Sequence, residues 1–356
     1  MEDGTVLEGS GFGADKTASG EVVFTTAMNG YPESLTDPSY KGQILVITHP
    51  LVGNYGVPKK NLIKGILSNF ESEHVRVEGL VVSELTEGSK WNSENTLDEW
   101  LAREGIPGVS GIDTRELTMK VREHGVMAGV LSSGTGPKEL KSCFKKKYGS
   151  THFVELVSPK KPVIHEFGRK NIVVVDFGVK HGILQHIAQL RYSVVRVPYD
   201  YPERKIMAFD PVGIVYSNGP GNPNLLTEEA KTFRKIMEYK IPKLAVCLGH
   251  QLAAIALGKE VAKMKFGHRA INKAVVDVTT HRSYITTHNH GYAIERENIP
   301  EGARLWFLSP DDNVVEGMTS KEYNLITTQF HPEARPGSND ANFIFKVFER
   351  MIKDAT

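Results

Sequence analysis

Between residues 172 and 257 the sequence alternates short apolar runs with helix-period segments, and this alternation restricts the fold more than any other feature. Ile172-Val173-Val174-Val175 is a continuous apolar run, as a strand covered on both faces requires. Ile183, Leu184, Ile187 and Leu190 follow at helical spacing. Further strands are expected over 193–197 and 213–216, the latter running into Ser217-Asn218-Gly219-Pro220-Gly221. A helix is predicted over 228–240, with Ala230, Phe233 and Met237 on one face and Thr227 as its cap. Leu244-Ala245-Val246 reads as a fourth strand, leading into a helix over about 250–257 that Gly258 stops. Such an order of β and α elements argues for a parallel α/β sheet. Several strands without intervening helices are expected over 274–328. A last helix follows over about 341–352, with Ile344, Val347, Phe348 and Met351 as its apolar stripe.

The first half has a different texture, mostly β with Gly and Pro punctuation. Strands are expected over 22–26, broken by Asn29-Gly30-Tyr31-Pro32, over 43–48 and over 75–82. Helices are expected over 97–103 and from Asp113 to about Arg122. The full length of 356 residues suggests about two domains at roughly 150 residues each. The divisions expected are 1–150, a linker over 151–169, and an α/β domain over 170–356. The junction carries Gly134-Thr135-Gly136-Pro137, Lys145-Lys146-Lys147 and Lys160-Lys161-Pro162, which read as loop and solvated basic surface.

With 43 basic and 42 acidic residues the net charge is +1, which argues against a dedicated nucleic-acid binder. Met1-Glu2-Asp3-Gly4 is acidic and no apolar core follows it, so a secretory signal is not expected. The longest apolar runs fall far short of the ~20 residues of a membrane span, and a cytoplasmic location is the expectation. Two cysteines exclude a disulfide scaffold and a four-cysteine zinc site.

One of those cysteines stands where chemistry is expected. Cys247 follows the strand 244–246 and precedes Leu248-Gly249-His250-Gln251, with small residues at −2 (Ala245) and +2 (Gly249). That is the steric pattern of a nucleophile elbow. It would place the sulfur at a helix N-terminus and aim the Leu248 amide at a developing oxyanion. Spacing alone also accommodates a buried core cysteine. Cys143, beside the lysine run, has no elbow and is expected to be a bystander. A thiol nucleophile needs a base and a group that orients the base. In His331-Pro332-Glu333 the proline forces an extended backbone, so His331 and Glu333 can face one side together. The loop 218–223 ends a strand on the same sheet edge as Cys247, where ligands bind in parallel α/β sheets.

Other patterns carry less. His288-Asn289-His290 offers two imidazoles but no third ligand or carboxylate at metal spacing, so no metal is expected and the segment reads as a substrate-contact loop. Asp176-Phe177-Gly178 matches a kinase triplet without the accompanying kinase motifs. Gly9-Ser10-Gly11-Phe12-Gly13-Ala14 lacks a βαβ unit around it, and Gly134-Thr135-Gly136-Pro137-Lys138 lacks the Walker spacing.

Cys247-Leu248-Gly249-His250-Gln251 with His331-Pro332-Glu333 resembles the triad class of glutamine amidotransferases, over about 170–356. The resemblance implies glutamine hydrolysis through a thioester on Cys247. His331 would move the proton, Glu333 would orient His331, and the amides of Leu248 and Gly219 would hold the oxyanion. Phe24-Thr25-Thr26-Ala27-Met28-Asn29-Gly30-Tyr31, Leu35-Thr36-Asp37-Pro38-Ser39-Tyr40, Gly53-Asn54-Tyr55-Gly56 and the run from Gly108 to Arg115 resemble the small-subunit family of carbamoyl-phosphate synthetases. So do Lys265-Phe266-Gly267-His268-Arg269 and Asn289-His290-Gly291-Tyr292 in the second half. By that resemblance Ser39, Gly219, Gly221, Gln251, Asn289, Gly291 and Tyr292 bind glutamine. Ala245, Tyr292 and Phe330 depart from the family's commoner residues without removing a chemical group. The implied partner is a large synthetase subunit that takes the ammonia and supplies the ATP and divalent-metal chemistry. No cofactor is expected in this chain. An amidotransferase of another pathway (anthranilate, GMP or CTP synthesis) would leave residues 1 to about 130 unexplained, and an intact triad speaks against a silent regulatory subunit.

Overall fold

The computed structural model describes residues 1–88, 92–132, 144 and 148–355. Cys143, Lys145-Lys146-Lys147 and the glycine-containing stretch 134–138 lie outside the described residues.

Two sheets organise the chain. The first contains Ser10–Gly13, Ala18–Thr25, Gln43–Ile47, Gly79–Val82, Pro107–Ser110 and Met127–Leu131. Their order across the sheet is 10–13, 107–110, 79–82, 43–47, 18–25, 127–131, with four parallel strands in the centre and an antiparallel strand at each edge. The central strand Gln43–Ile47 is buried along its whole length, which explains why it reads as an unbroken apolar run. Helices Leu97–Glu104 and Thr114–His124 are capped by Thr96 and Asp113, whose side chains accept from the backbone amides of Glu99 and Glu116.

The second sheet has ten strands. Asn171–Asp176, Ser193–Pro198, Pro211–Tyr216, Lys243–Val246 and Leu325–Thr328 are parallel neighbours. Val315–Ser320, Arg304–Leu308, Ala262–Asp277 and Ser283–Ala293 continue the sheet antiparallel. Helices pack on both faces. Phe343–Ala355 lays Ile344, Phe345, Phe348 and Ile352 into one core, and Thr227–Met237 buries Ala230, Phe233, Ile236 and Met237 in the other. The α/β architecture expected from the alternating pattern is what the chain adopts.

Several local expectations differ. The strand expected over 75–82 is restricted to Gly79–Val82. Val75 and Val77 are buried, but Arg76 gives its amide to Leu35 O, so this stretch is buried loop rather than ladder. The helix expected over 228–240 is Thr227–Met237. It ends early because Glu238 and Tyr239 bond three residues back, tightening the last turn ahead of Pro242. Thr227 is its first residue and not its cap. The Asn29-Gly30-Tyr31-Pro32 break opens a short helix, Tyr31–Thr36, with proline in its first turn. The segment 151–169 contains the 3₁₀ turn Phe153–Leu156, with Val154 in the second core, and the edge strand Val163–His165 paired to Ser193–Pro198. The Asp176 side chain accepts from the amides of Gly178 and Val179 and pairs with Arg196 at 2.9 Å, so the kinase-like triplet is a turn. None of the described helices is long and apolar enough to cross a membrane.

The last helix closes a face of the second sheet through residues that are fully buried. Phe348→Ala is expected to lower unfolding free energy by about 3–5 kcal/mol, read by urea denaturation. A loss under about 1 kcal/mol would contradict this packing role.

Candidate active site

Cys247 occupies the junction between Lys243–Val246 and the helix Leu248–Ala256, with φ 53° and ψ −102°. A left-handed backbone at a residue with a Cβ costs on the order of 1–3 kcal/mol and persists only where neighbours over-determine it. Here the Cys247 amide donates to Thr328 O at 2.7 Å and the Gly249 amide to Ser217 O at 3.0 Å. Gly249 has no alternative, since a Cβ there would stand 2.3 Å from Tyr216 O. The sulfur therefore sits at the head of a nine-residue buried helix, where the dipole favours negative charge.

His331 and Glu333 stand together beside Cys247. The His331 Nδ1–H donates to Glu333 Oε1 at 2.7 Å, which leaves Nε2 as the basic nitrogen. Nε2 has no hydrogen-bond partner, and the thiol lies 3.7 Å from Asn289 O. Burial alone would lower the His331 pKa, but Glu333 and, in smaller part, Cys247 outweigh it and push it up to about 10. Burial pushes Glu333 up, while Lys180 and then His331 outweigh this and hold it at about 2.

Lys180 is the residue that sequence reading missed. It is fully buried, with Nζ 3.0 Å from Glu333 Oε1 and donating to Ala334 O at 2.7 Å. Burial works against its charge, and the carboxylates of Glu333, Glu71 and Asp37 overcome that and raise its pKa. Nothing in its local sequence marks it, because its partners lie far away in the chain.

The thiol opens into a cleft that continues to solvent. Ser39, Gly219, Gly221, Gln251, Asn289, Gly291 and Tyr292 all line it, so the structure brings these predicted residues together. Leu248 is buried beneath and offers its amide at the helix start. Ser39 comes from the first half of the chain. The 3₁₀ turn Pro38–Tyr40 is capped by Asp37, which also accepts from Asn289 Nδ2 at 3.0 Å, and Asn218 Nδ2 donates to Ser39 Oγ at 3.0 Å. Gly219 approaches Phe177 O so closely that a Cβ would stand 2.3 Å away. Gln251 spends its Nε2 protons on Tyr292 O at 2.8 Å and Gln329 Oε1 at 2.9 Å, leaving its carbonyl oxygen to a ligand. Glu21, Lys263 and Arg269 add charge to the cavity wall, with Lys263 paired to Glu21 at 2.8 Å. Arg269 belongs to the Lys265-Phe266-Gly267-His268-Arg269 motif, whereas no pattern marked Glu21 or Lys263.

The His288-Asn289-His290 segment splits its roles. Asn289 and His290 line the cavity, while His288 is turned toward Glu316. Burial lowers the pKa of both His288 and His290, keeping them neutral. The expectation that no further ligand stands near them is corrected by the fold, which brings His268 and Glu316 alongside from neighbouring strands. His268 is the cross-strand partner of His290, a proximity that linear spacing does not reveal.

Removing the amine beside Glu333 should let that carboxyl protonate at higher pH. In Lys180→Met, the acid limb of Cys247 alkylation by iodoacetamide is expected to move to higher pH. The rate at neutral pH should fall about tenfold, or about 1.4 kcal/mol. An unmoved acid limb, with modification mapped by mass to Cys247, would contradict the Lys180–Glu333–His331 coupling.

Comparison with known proteins places this geometry. Residues 1–131 match the carbamoyl-phosphate synthase small chain, CPSase domain family, and residues 173–351 match the class-I glutamine amidotransferase family. The carbamoyl phosphate synthase small chain of Sulfolobus acidocaldarius is 59% identical over 355 residues, covering 99% of this chain and 95% of the relative. That of Pyrococcus furiosus is 48% identical over 99% of this chain and 96% of the relative. That of Streptococcus pyogenes is 41% identical over 99% and 96%. The site is thus carried by a chain matched from end to end, and the chain belongs to the carbamoyl phosphate synthase small-chain family, with a class-I glutamine amidotransferase domain as its second half.

Proposed function

We propose that this chain hydrolyses L-glutamine at Cys247 and passes the ammonia to a large synthetase subunit, which makes carbamoyl phosphate from bicarbonate and ATP for pyrimidine or arginine biosynthesis. The observation that carries the reading is the elbow thiol beside the His331–Glu333 pair, facing a cavity lined by Ser39, Gln251 and Asn289.

In the first step the Cys247 Sγ attacks the side-chain amide carbon of glutamine. For this the sulfur turns from Asn289 O toward His331, where the proton it has given up rests on Nε2, so that Cys247 attacks as a thiolate beside the charged imidazole. Glu333 favours the charged imidazole, which helps this transfer. The tetrahedral oxyanion is met by the backbone amides of Leu248 and Gly219, one at a helix start and one on the loop after Pro211–Tyr216. The His331 proton passes to the departing nitrogen, the C–N bond breaks, and ammonia leaves a γ-glutamyl thioester. Water, deprotonated by His331, then attacks the thioester, and glutamate is released with the thiol restored. Lys180 keeps Glu333 ionised throughout.

The first domain supports the choice of pathway. The thiol, His331 and Glu333 all lie in the second half, yet residues 1–131 match a domain family of the synthase small chain. In this reading the bicarbonate and ATP chemistry belongs to the large subunit. Ammonia must reach that subunit unprotonated, because ammonium has no lone pair for attack.

In the reconstituted complex, Cys247→Ser is expected to abolish glutamine-dependent carbamoyl phosphate synthesis while leaving synthesis from added ammonium salt within about twofold of wild type, a difference of under 1 kcal/mol. Glutamine-dependent turnover by the variant would refute the nucleophile assignment. An electrophilic glutamine analogue is expected to label Cys247 and not Cys143, as read by peptide mass mapping. Label on Cys143 would refute the elbow reading.

A further inference from the structure

Behind the strand that walls the cavity, His268, His288, His290 and Glu316 converge, with one ligand-capable atom from each lying within 4.8 Å of the others. All four residues are buried, and Glu316 is fully so. Both carboxylate oxygens of Glu316 lack a hydrogen-bond partner, as does Nδ1 of His268. A buried carboxylate held only by imidazoles at 3.5–3.6 Å, with no hydrogen bond to either oxygen, is costly, and native interiors rarely leave one so poorly satisfied. The nitrogens facing inward have nearly the spacing of a coordination shell. His288 Nδ1 and His290 Nε2 are 3.4 Å apart, His268 Nδ1 and Glu316 Oε1 are 3.5 Å apart, and His288 Nδ1 and Glu316 Oε2 are 3.6 Å apart. Donors at about 2.0–2.1 Å from a tetrahedral ion stand about 3.3–3.4 Å from one another, so these three contacts have to contract by only a few tenths of an ångström, while the set as a whole, spread within 4.8 Å, has to close further around an ion.

The outward nitrogens are the second observation. His268 Nε2 pairs with Asp312 Oδ2 at 2.8 Å, His288 Nε2 with Thr286 Oγ1 at 2.7 Å, and His290 Nδ1 with Tyr292 O at 2.9 Å. Each imidazole therefore has an outer partner on one nitrogen and turns the other inward. The His290–carbonyl bond requires a proton on Nδ1 and so leaves the lone pair on Nε2. A carboxylate, a hydroxyl and a carbonyl behind three histidines is the outer shell that fixes tautomer and ring orientation in metal sites.

We propose that His268, His288, His290 and Glu316 bind one structural zinc ion. Three imidazoles and a carboxylate suit zinc, whereas calcium and magnesium require mainly oxygen donors. The four protein ligands leave no open position, so the ion ties strands together rather than joining the chemistry. Those strands are Ala262–Asp277, Ser283–Ala293 and Val315–Ser320, and the second of them carries Asn289, Gly291 and Tyr292 of the cavity wall. The way in is at Asp312, whose side chain is 37% exposed while that of His268 is 7%. The proposal does not depend on glutamine being the substrate, because its test reads metal and not turnover.

The full-length chain, stripped with a chelator, is titrated with zinc chloride against a chromophoric chelator, and with cobalt(II) to obtain a visible spectrum. Wild type is expected to bind one zinc per chain and to give the intense visible bands of tetrahedral cobalt. His288→Gln should lose that equivalent. Asp312→Asn, a change at a half-exposed position that leaves the ligands in place, should retain it with about 10–100-fold weaker affinity. Wild type without a stoichiometric zinc ion, or zinc binding unchanged in either variant, would overturn the assignment. Should His288→Gln fail to fold, the wild-type titration and Asp312→Asn decide the matter.

Discussion

The left-handed backbone of Cys247 is the constraint around which the second sheet is arranged. It is tolerated because three parallel strands hold its neighbours. Thr328 takes the Cys247 amide, Ser217 takes the Gly249 amide, and Tyr216 presses on Gly249. The same contacts set where everything else must be. Thr328 leads within three residues to His331, and Ser217 leads at once to Asn218 and Gly219. The Cys247 thiol, the His331 imidazole and the Gly219 amide, which we propose as nucleophile, base and oxyanion donor, are thus positioned by the hydrogen bonds that relieve a single strained residue.

A row of buried charges runs beneath this arrangement. Lys180, Glu333 and His331 are all essentially inaccessible to water, and Glu71 and Asp37 add negative charge from the first half of the chain. Removing one member of such a set is expected to cost more than a surface pair would, because it strands the others in low dielectric. The linkage signs oppose each other at the two ends of the pH scale. Glu333, held at about 2, contributes stability that is present above its unfolded value near 4.5 and lost as pH falls toward 2. His331, raised to about 10, contributes stability that is full below about 6.5 and lost as pH rises through 10. The site is therefore most firmly held in the neutral range.

The legible parts of the sequence were those that depend on local periodicity or on motif. The run 172–175, the elbow around Cys247 and the His-Pro-Glu segment each encode their geometry within a few residues. The helix start at Asp113 followed from capping chemistry. What stayed hidden were contacts closed by the fold over long separations. Lys180 meets Glu333 across the second domain, Asp37 meets Asn289 across both domains, and His268 meets His290 by sheet register. Val75 and Val77 misled for a related reason: tertiary burial makes a loop look like a strand. Buried polar residues with distant partners have no periodic signature, and a single sequence offers no other trace of them.

The turn Pro38–Tyr40 has a consequence for how the two halves work as one object. Its serine joins Glu21 and Gln43 of the first half in a cavity whose remaining wall comes mainly from the second half, and its cap Asp37 holds the Asn289 side chain. Neither half alone contains a finished pocket. Competence is therefore conjunctive: it exists only while the halves are seated against each other, and any force that shifts one against the other acts on substrate binding without touching the thiol. A protein docked on the first half would hold a lever on the second.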